Sequence, residues 1–209
     1  MIPKKAIYIL IVSLSVALSL PAFSEEPIQI IQGPIDEVVE ILNDPKYTGD
    51  ETKAAQREAI WKTVEPMFNF EEISKRAVAH KWREFSDEEK QAFTDVFSQF
   101  LGNTYIDKIQ GEYHNEKIVY LEQNFHSDAY AEVKTKLLRE NIETPVDYRM
   151  IRKGGDPWRV YDIIVEGVSL VKNYRAQFAT ILKKESPAQL IERLNQKLTE
   201  QNQQLAGNG

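Results

Sequence analysis

Covalent chemistry needs nucleophiles, acids, bases or metal ligands at workable spacing, and this chain offers few of them. It has no cysteine, which excludes thiolate nucleophiles and cysteine-held metals. His80, His114 and His126 stand far apart, with no H-E-x-x-H or comparable pattern, and read as exposed or hydrogen-bonded structural residues. No G-x-S-x-G elbow presents a serine, and the adjacent pair Gly154 and Gly155 belongs to a turn, not to a phosphate-cradling loop. Carboxylates are abundant, but abundance does not single out a catalytic pair. The sequence therefore assigns no catalytic residue, no metal and no cofactor.

Two groupings are suited to binding. Arg149, Arg152, Lys153 and Arg159 gather positive charge around one predicted hairpin, where they could meet a phosphate group or an acidic partner. A solvated strand edge that discourages aggregation is the plainer reading of the same charges. The second grouping is an aromatic and aliphatic surplus: Phe93, Phe97, Phe100, Leu101 and Tyr105 at helical spacing, Val133 with Leu137, Tyr148 with Met150, and Tyr174 with Phe178. Periodicity does not separate a filled core from a lined cavity, and a filled core is the plainer reading here too.

These residues must be positioned by two kinds of element. Gly33 and Pro34 introduce a helix bearing Ile35, Val38, Val39 and Leu42, which Asp44 and Pro45 stop. A second helix is predicted over 51–64, with Ile60, Trp61 and Val64 inward, and Pro66 separates it from a third beginning near Phe70. Ser86 and Glu89 form a capping box and launch the longest early helix, ended at Gly111. From Glu116 to Val165 the period changes to two, most clearly where Ala131, Val133, Thr135 and Leu137 alternate with Glu132, Lys134 and Lys136. Strands at 118–123, 131–137, 146–152 and 158–165 make an antiparallel meander, with 154–157 as the last turn. Ser169 then caps a helix carrying Leu170, Val171, Tyr174, Phe178, Ile181 and Leu182, and Ser186 with Gln189 starts another. Helices before and after an antiparallel sheet define an α+β domain.

At the N-terminus, Lys4 and Lys5 precede an apolar run from Ala6 to Leu20 that is short for a membrane span, followed by small residues one and three places before Glu25. This pattern is a cleaved secretory signal over 1–24, leaving one domain over 25–198 and a polar tail over 199–209 that frays. The formal charge of −6 becomes −8 once Lys4 and Lys5 leave. Such a chain repels nucleic acid and anionic bilayer surfaces.

The segment 158–171, WRVYDIIVEGVSLV, resembles the signature of the periplasmic phospholipid-binding component of the Mla (maintenance of lipid asymmetry) transport system, also described as the toluene-tolerance auxiliary protein family. Asn173, Tyr174, Arg175, Gln177 and Phe178 continue the likeness, and Phe68, Phe70, Phe93, Phe97, Leu101 and Tyr105 carry it upstream, so that it spans about residues 66–198. The resemblance implies an NTF2-like α+β fold, with an antiparallel sheet of about four strands and flanking helices around a lipid-tail pocket. It implies exchange of phospholipid between an outer-membrane lipoprotein complex and an inner-membrane ABC transporter complex. Candidate lining residues are Phe97, Leu101, Tyr105, Val133, Tyr148, Met150, Tyr174 and Phe178, and the basic cluster becomes a candidate contact for a partner or a headgroup. The signature residues also have plainer jobs: Gly167 suits a tight turn, Ser169 a cap and Trp158 a large strand contact. Because NTF2-like folds also host catalytic pockets, a hydrolase or isomerase is the competing reading, and a periplasmic chaperone or adaptor is another.

Overall fold

A computed structural model describes residues 26–207 of the chain. The signal segment proposed over 1–24 lies outside the described residues.

The local signals act where the sequence places them. Ser86 Oγ accepts the Glu89 N–H at 3.1 Å, and the Glu89 carboxylate accepts the Ser86 N–H at 2.8 Å, satisfying two donors that a helix start otherwise leaves free. They open α4 (Asp87–Glu112), which follows α1 (Pro27–Asn43), α2 (Lys53–Val64) and α3 (Phe70–Val78). Four long strands come next, β1 (Lys117–Ser127), β2 (Tyr130–Arg139), β3 (Ile142–Ile151) and β4 (Arg159–Val165). A two-residue β5 (Val168–Ser169) precedes α5 (Leu170–Ile181) and α6 (Pro187–Gly207). The sheet is open and antiparallel in the order β1-β2-β3-β4-β5, so the fold is α+β with five strands where the sequence indicates about four. The fifth arises because Glu166 (φ 50°) and Gly167 (φ 80°) both turn left-handed, folding Val168 and Ser169 back onto β4.

Several predicted boundaries move: β1 runs on to Ser127 and β3 begins at Ile142, and the two helical shifts have visible anchors. The first helix begins at Pro27, not after Gly33 and Pro34, and Pro34 lies inside it. Proline there removes one helical hydrogen bond, and the loss is tolerated because α1 is fixed to the sheet. Ile31 and Val38 are buried, the Ile28 N–H donates to Gln123 Oε1 at 3.0 Å, and the Tyr120 hydroxyl donates to Asp36 at 2.7 Å. The tail predicted to fray after Leu198 continues α6 to Gly207. Gln201 donates to Thr104 Oγ1 at 2.8 Å and Asn103 donates to Asn202 at 2.9 Å, so polar bonds lay this segment along α4. An apolar periodicity gives no sign of such bonds.

The interior falls into connected clusters. One joins α3, α4, α5 and α6 through Ile73, Phe93, Phe97, Leu101, Tyr174, Phe178, Leu190 and their neighbours. A second lies between α1 and the sheet, around Ile31, Met67, Ala131, Val133, Met150, Trp158 and Val160. A small third joins α1, α2 and α4 through Val38, Ile60 and Ile106. Phe68 packs against both of the larger clusters.

Candidate functional site

The eight candidate lining residues divide between the two larger clusters. Phe97, Leu101, Tyr105, Tyr174 and Phe178 come together among the helices, whereas Val133, Met150 and the partly buried Tyr148 belong to the sheet beneath α1. In the helical group the rings touch one another. Phe97 lies 5.1 Å from both Tyr174 and Phe178, and 5.4 Å from Phe93, centroid to centroid, with edge-to-face and stacked geometries that fill space closely. Burial pushes the Tyr174 hydroxyl well above its ordinary range, with the Tyr105 hydroxyl beside it adding to the shift.

The sheet group is arranged differently. Cross-strand pairing sets Ala131, Met150 and Val160 side by side, then Val133, Tyr148 and Ile163, then Thr135, Val146 and Val165. All face α1, and exposure rises along these rows. Ala131, Val133, Met150 and Val160 are sealed; Tyr148, Val146, Ile163 and the neighbouring Leu137 are partly open; Val165 is 43% and Val168 63% exposed. Thr135 Oγ1 donates to the Val146 carbonyl at 2.8 Å, and burial raises the Tyr148 hydroxyl well above its ordinary range. The result is an apolar strip on β2, β3 and β4, sealed around Val133 and Met150 and open toward Val165 and Val168, with Phe125 of β1 exposed at the sheet edge beside Ala131. Val146 and Ile163 were absent from the candidates, because only strand register aligns them with Val133 and Tyr148.

Asp162, which the sequence left without a role, ties the two regions together. It is buried, accepts the Ser169 hydroxyl at 2.6 Å and the Val171 N–H at 3.0 Å, and lies 3.5 Å from the Arg149 guanidinium. Ser169 Oγ in turn accepts the Lys172 N–H, capping α5. Asp162 thus fixes the start of α5 to β4, on the sheet face opposite α1. The detectable signal is an acid seven residues before a helix-capping serine.

The basic cluster is also divided. Arg149 is committed to Glu132 and Asp162. Arg152, Lys153 and Arg159 border an open cleft at the end of the β3–β4 hairpin. His80, His114 and His126 are exposed on separate elements, and among the described residues no three histidine or acidic side chains are grouped to hold a metal. Among the described residues no helix is long and apolar enough to cross a membrane.

This fold has a solved counterpart. A phospholipid-binding protein from Ralstonia solanacearum, determined in complex with a phospholipid, superposes with a TM-score of 0.70 over 87% of this chain and 99% of its own, at 24% identity. Toluene tolerance protein ttg2D of Pseudomonas putida is 28% identical over 174 residues, covering 79% of this chain and 77% of that protein. The intermembrane phospholipid transport system binding protein MlaC of Haemophilus influenzae is 22% identical over 161 residues, 75% of this chain and 71% of that one. The pattern that defines the MlaC protein family matches residues 32–196, reaching upstream of the expected 66–198 to take in most of α1 and all of α2. The chain therefore belongs to the MlaC protein family.

Proposed function

We propose that this protein is exported by its N-terminal signal to the periplasm and there carries phospholipid between an inner-membrane ABC transporter complex and an outer-membrane lipoprotein complex. The observation that carries the reading is the apolar strip on the α1-facing side of the sheet, sealed at Val133 and Met150 and open toward Val146, Val165 and Val168. Acyl chains enter from the open end, and the headgroup stays near the exposed end in water. Family membership and the relatives' names support the cargo and the route.

The energetics favour a covered hydrocarbon over a recognised headgroup. Each buried methylene contributes about 0.8 kcal/mol, so one long acyl chain amounts to on the order of 10 kcal/mol. A carrier must shield nearly all of that surface, and walls without unsatisfied polar atoms do so for chains of many lengths. A hydrated headgroup demands little recognition, so broad phospholipid selectivity is expected. No bond is made or broken in such a cycle.

A transfer assay tests this reading. Protein added to donor vesicles carrying labelled phospholipid should move intact lipid to acceptor vesicles at a rate proportional to its concentration. Release of free fatty acid or lysolipid would contradict carriage and favour an enzyme. Lipid that stays in the donor while an unfolded client protein is kept soluble would favour a chaperone.

A further inference from the structure

The two halves of α1 belong to different parts of the molecule. Residues 27–33 lie on the sheet, where Pro27 and Ile31 are fully buried and Ile31 shares a cluster with Val133, Met150 and Val160. Beyond Pro34, Val38 joins Ile60 of α2 and Ile106 of α4, with Ile41 and Leu42 packed against them. Polar bonds repeat the division. In the second half Glu37, the Ile41 carbonyl and Asn43 bond to Thr63, Gln56 and Tyr113, on α2 and just past the end of α4. The first half is held to β1 through Gln123, whose Oε1 accepts the Ile28 N–H at 3.0 Å and whose Nε2 donates to Glu26 at 2.7 Å. Tyr120 sits at the boundary, its hydroxyl 2.7 Å from Asp36 and 3.4 Å from the Gln32 carbonyl.

The boundary is built to bend. Pro34 has no N–H to offer the Ile30 carbonyl, so one helical bond across the boundary is missing. Gly33 stands beside it, and after proline no residue favours a helix interior less than glycine. Neither packing nor backbone geometry calls for that glycine: a Cβ there meets nothing within 4 Å, and Gly33 does not have a positive φ. What glycine adds is freedom to change its backbone angles. The joint separates a fixed half from a half latched by one side chain.

Phospholipid carriage needs such a joint. An acyl chain resting on the half-open rows of the sheet keeps one side in water, whereas a chain between residues 27–33 and the sheet is covered on both. Ile31 fills that space in this structure, so the segment must lift before chains entering at the open end can slide beneath it. We infer that residues 27–33 form a flap, hinged at Gly33 and Pro34 and latched by Gln123, that lifts to admit acyl chains over Val133 and Met150 and then closes on them. The inference rests on the phospholipid-carrier reading.

The chain has no cysteine, so a reactive pair can be placed at the latch alone. Glu26→Cys with Gln123→Cys, joined by a short bismaleimide in lipid-free full-length protein, should take up labelled phospholipid from donor vesicles at least tenfold more slowly than the parent. Capped with N-ethylmaleimide instead of linked, the same pair lacks the latch and should take lipid up faster than the parent. The hinge is tested separately, and that test stands if the linked protein does not fold. Gly33→Ala with Pro34→Ala should slow uptake at least threefold while the lipid-free melting temperature holds or rises. Gly111→Ala, at an equally open helical glycine of α4, should leave the rate unchanged. A merely structural joint would give the gain in stability with no change in rate. Uptake by the parent that neither the link nor the hinge variant slows overturns the flap and leaves carriage standing. No uptake by the parent overturns carriage, and the flap with it.

Discussion

In the helical core, Phe97 stands 5.1 Å from two other rings, and every side of it is occupied. On the α1-facing side of the sheet, exposure climbs from 0% at Val133 to 43% at Val165 within a few residues. Both regions are built from aromatic and aliphatic side chains at regular spacing. The difference is in what lies opposite. Four helices close on one another around Phe97, whereas α1, strapped by Tyr120 and Gln123 and joined by Val64 and Met67, covers part of the sheet and leaves the rest half-open. Filled apolar volume gives stability, and an apolar wall without a full complement of neighbours gives capacity for hydrocarbon.

Substitutions can break this contrast. Phe97→Ala should have the largest effect, about 3–5 kcal/mol of lost stability, because it removes a ring from a close-packed cluster. Chemical denaturation of lipid-free protein measures it, and a near-neutral result would mean that the helical core is not closed. Asp162→Ala comes next, at about 2–3 kcal/mol, since it strips partners from the buried Ser169 hydroxyl and the Val171 N–H together. Asp162→Asn, which keeps one acceptor oxygen, should lose less in the same experiment.

The sheet face responds to added bulk along its length. Val133→Trp, at the sealed end, should overpack and cost about 1–3 kcal/mol, with lipid lost alongside. Val146→Trp, in the partly open region, should leave the lipid-free melt nearly unchanged while phospholipid recovered by extraction falls sharply. Stability is compared without lipid, because bound ligand raises the melting temperature of whichever variant retains it. Equal stability losses at the two positions would erase the gradient.

The smallest expected effect is alkaline. Burial raises Tyr148 and Tyr174 above the ordinary tyrosine value of 10.0, so the folded protein resists ionising them while the unfolded chain does not. Their contribution is fully present below pH 10.0 and is lost as pH rises through the folded values. Denaturation midpoints should begin to fall near about pH 10 and go on falling above it, and Tyr148→Phe and Tyr174→Phe should each flatten that fall. A slope unaffected by either change would show that neither hydroxyl is buried as described.

Much of this architecture was legible in the sequence, because its determinants are local. The Ser86–Glu89 and Ser186–Gln189 boxes, the Ser169 cap and the alternation from Ala131 to Leu137 all act within a few residues. The early start of α1 was hidden because its anchors, Gln123 and Tyr120, lie some ninety residues away in sequence. The helical end of α6 depends in the same way on Asn103 and Thr104. The division of the candidate residues was hidden for a related reason. Spacing gives Phe97 and Val133 an inward direction but does not say which interior each one faces.

Native mass spectrometry of full-length protein purified gently from cells tests the central claim most directly, run on the parent, on Val146→Trp and on a mild helical-core variant such as Phe178→Leu. The parent should carry intact phospholipid at a simple ratio, Phe178→Leu should retain it, and Val146→Trp should fly almost empty while remaining folded. A parent free of phospholipid, or lipid kept by Val146→Trp and lost from Phe178→Leu, would contradict carriage on the α1-facing side of the sheet.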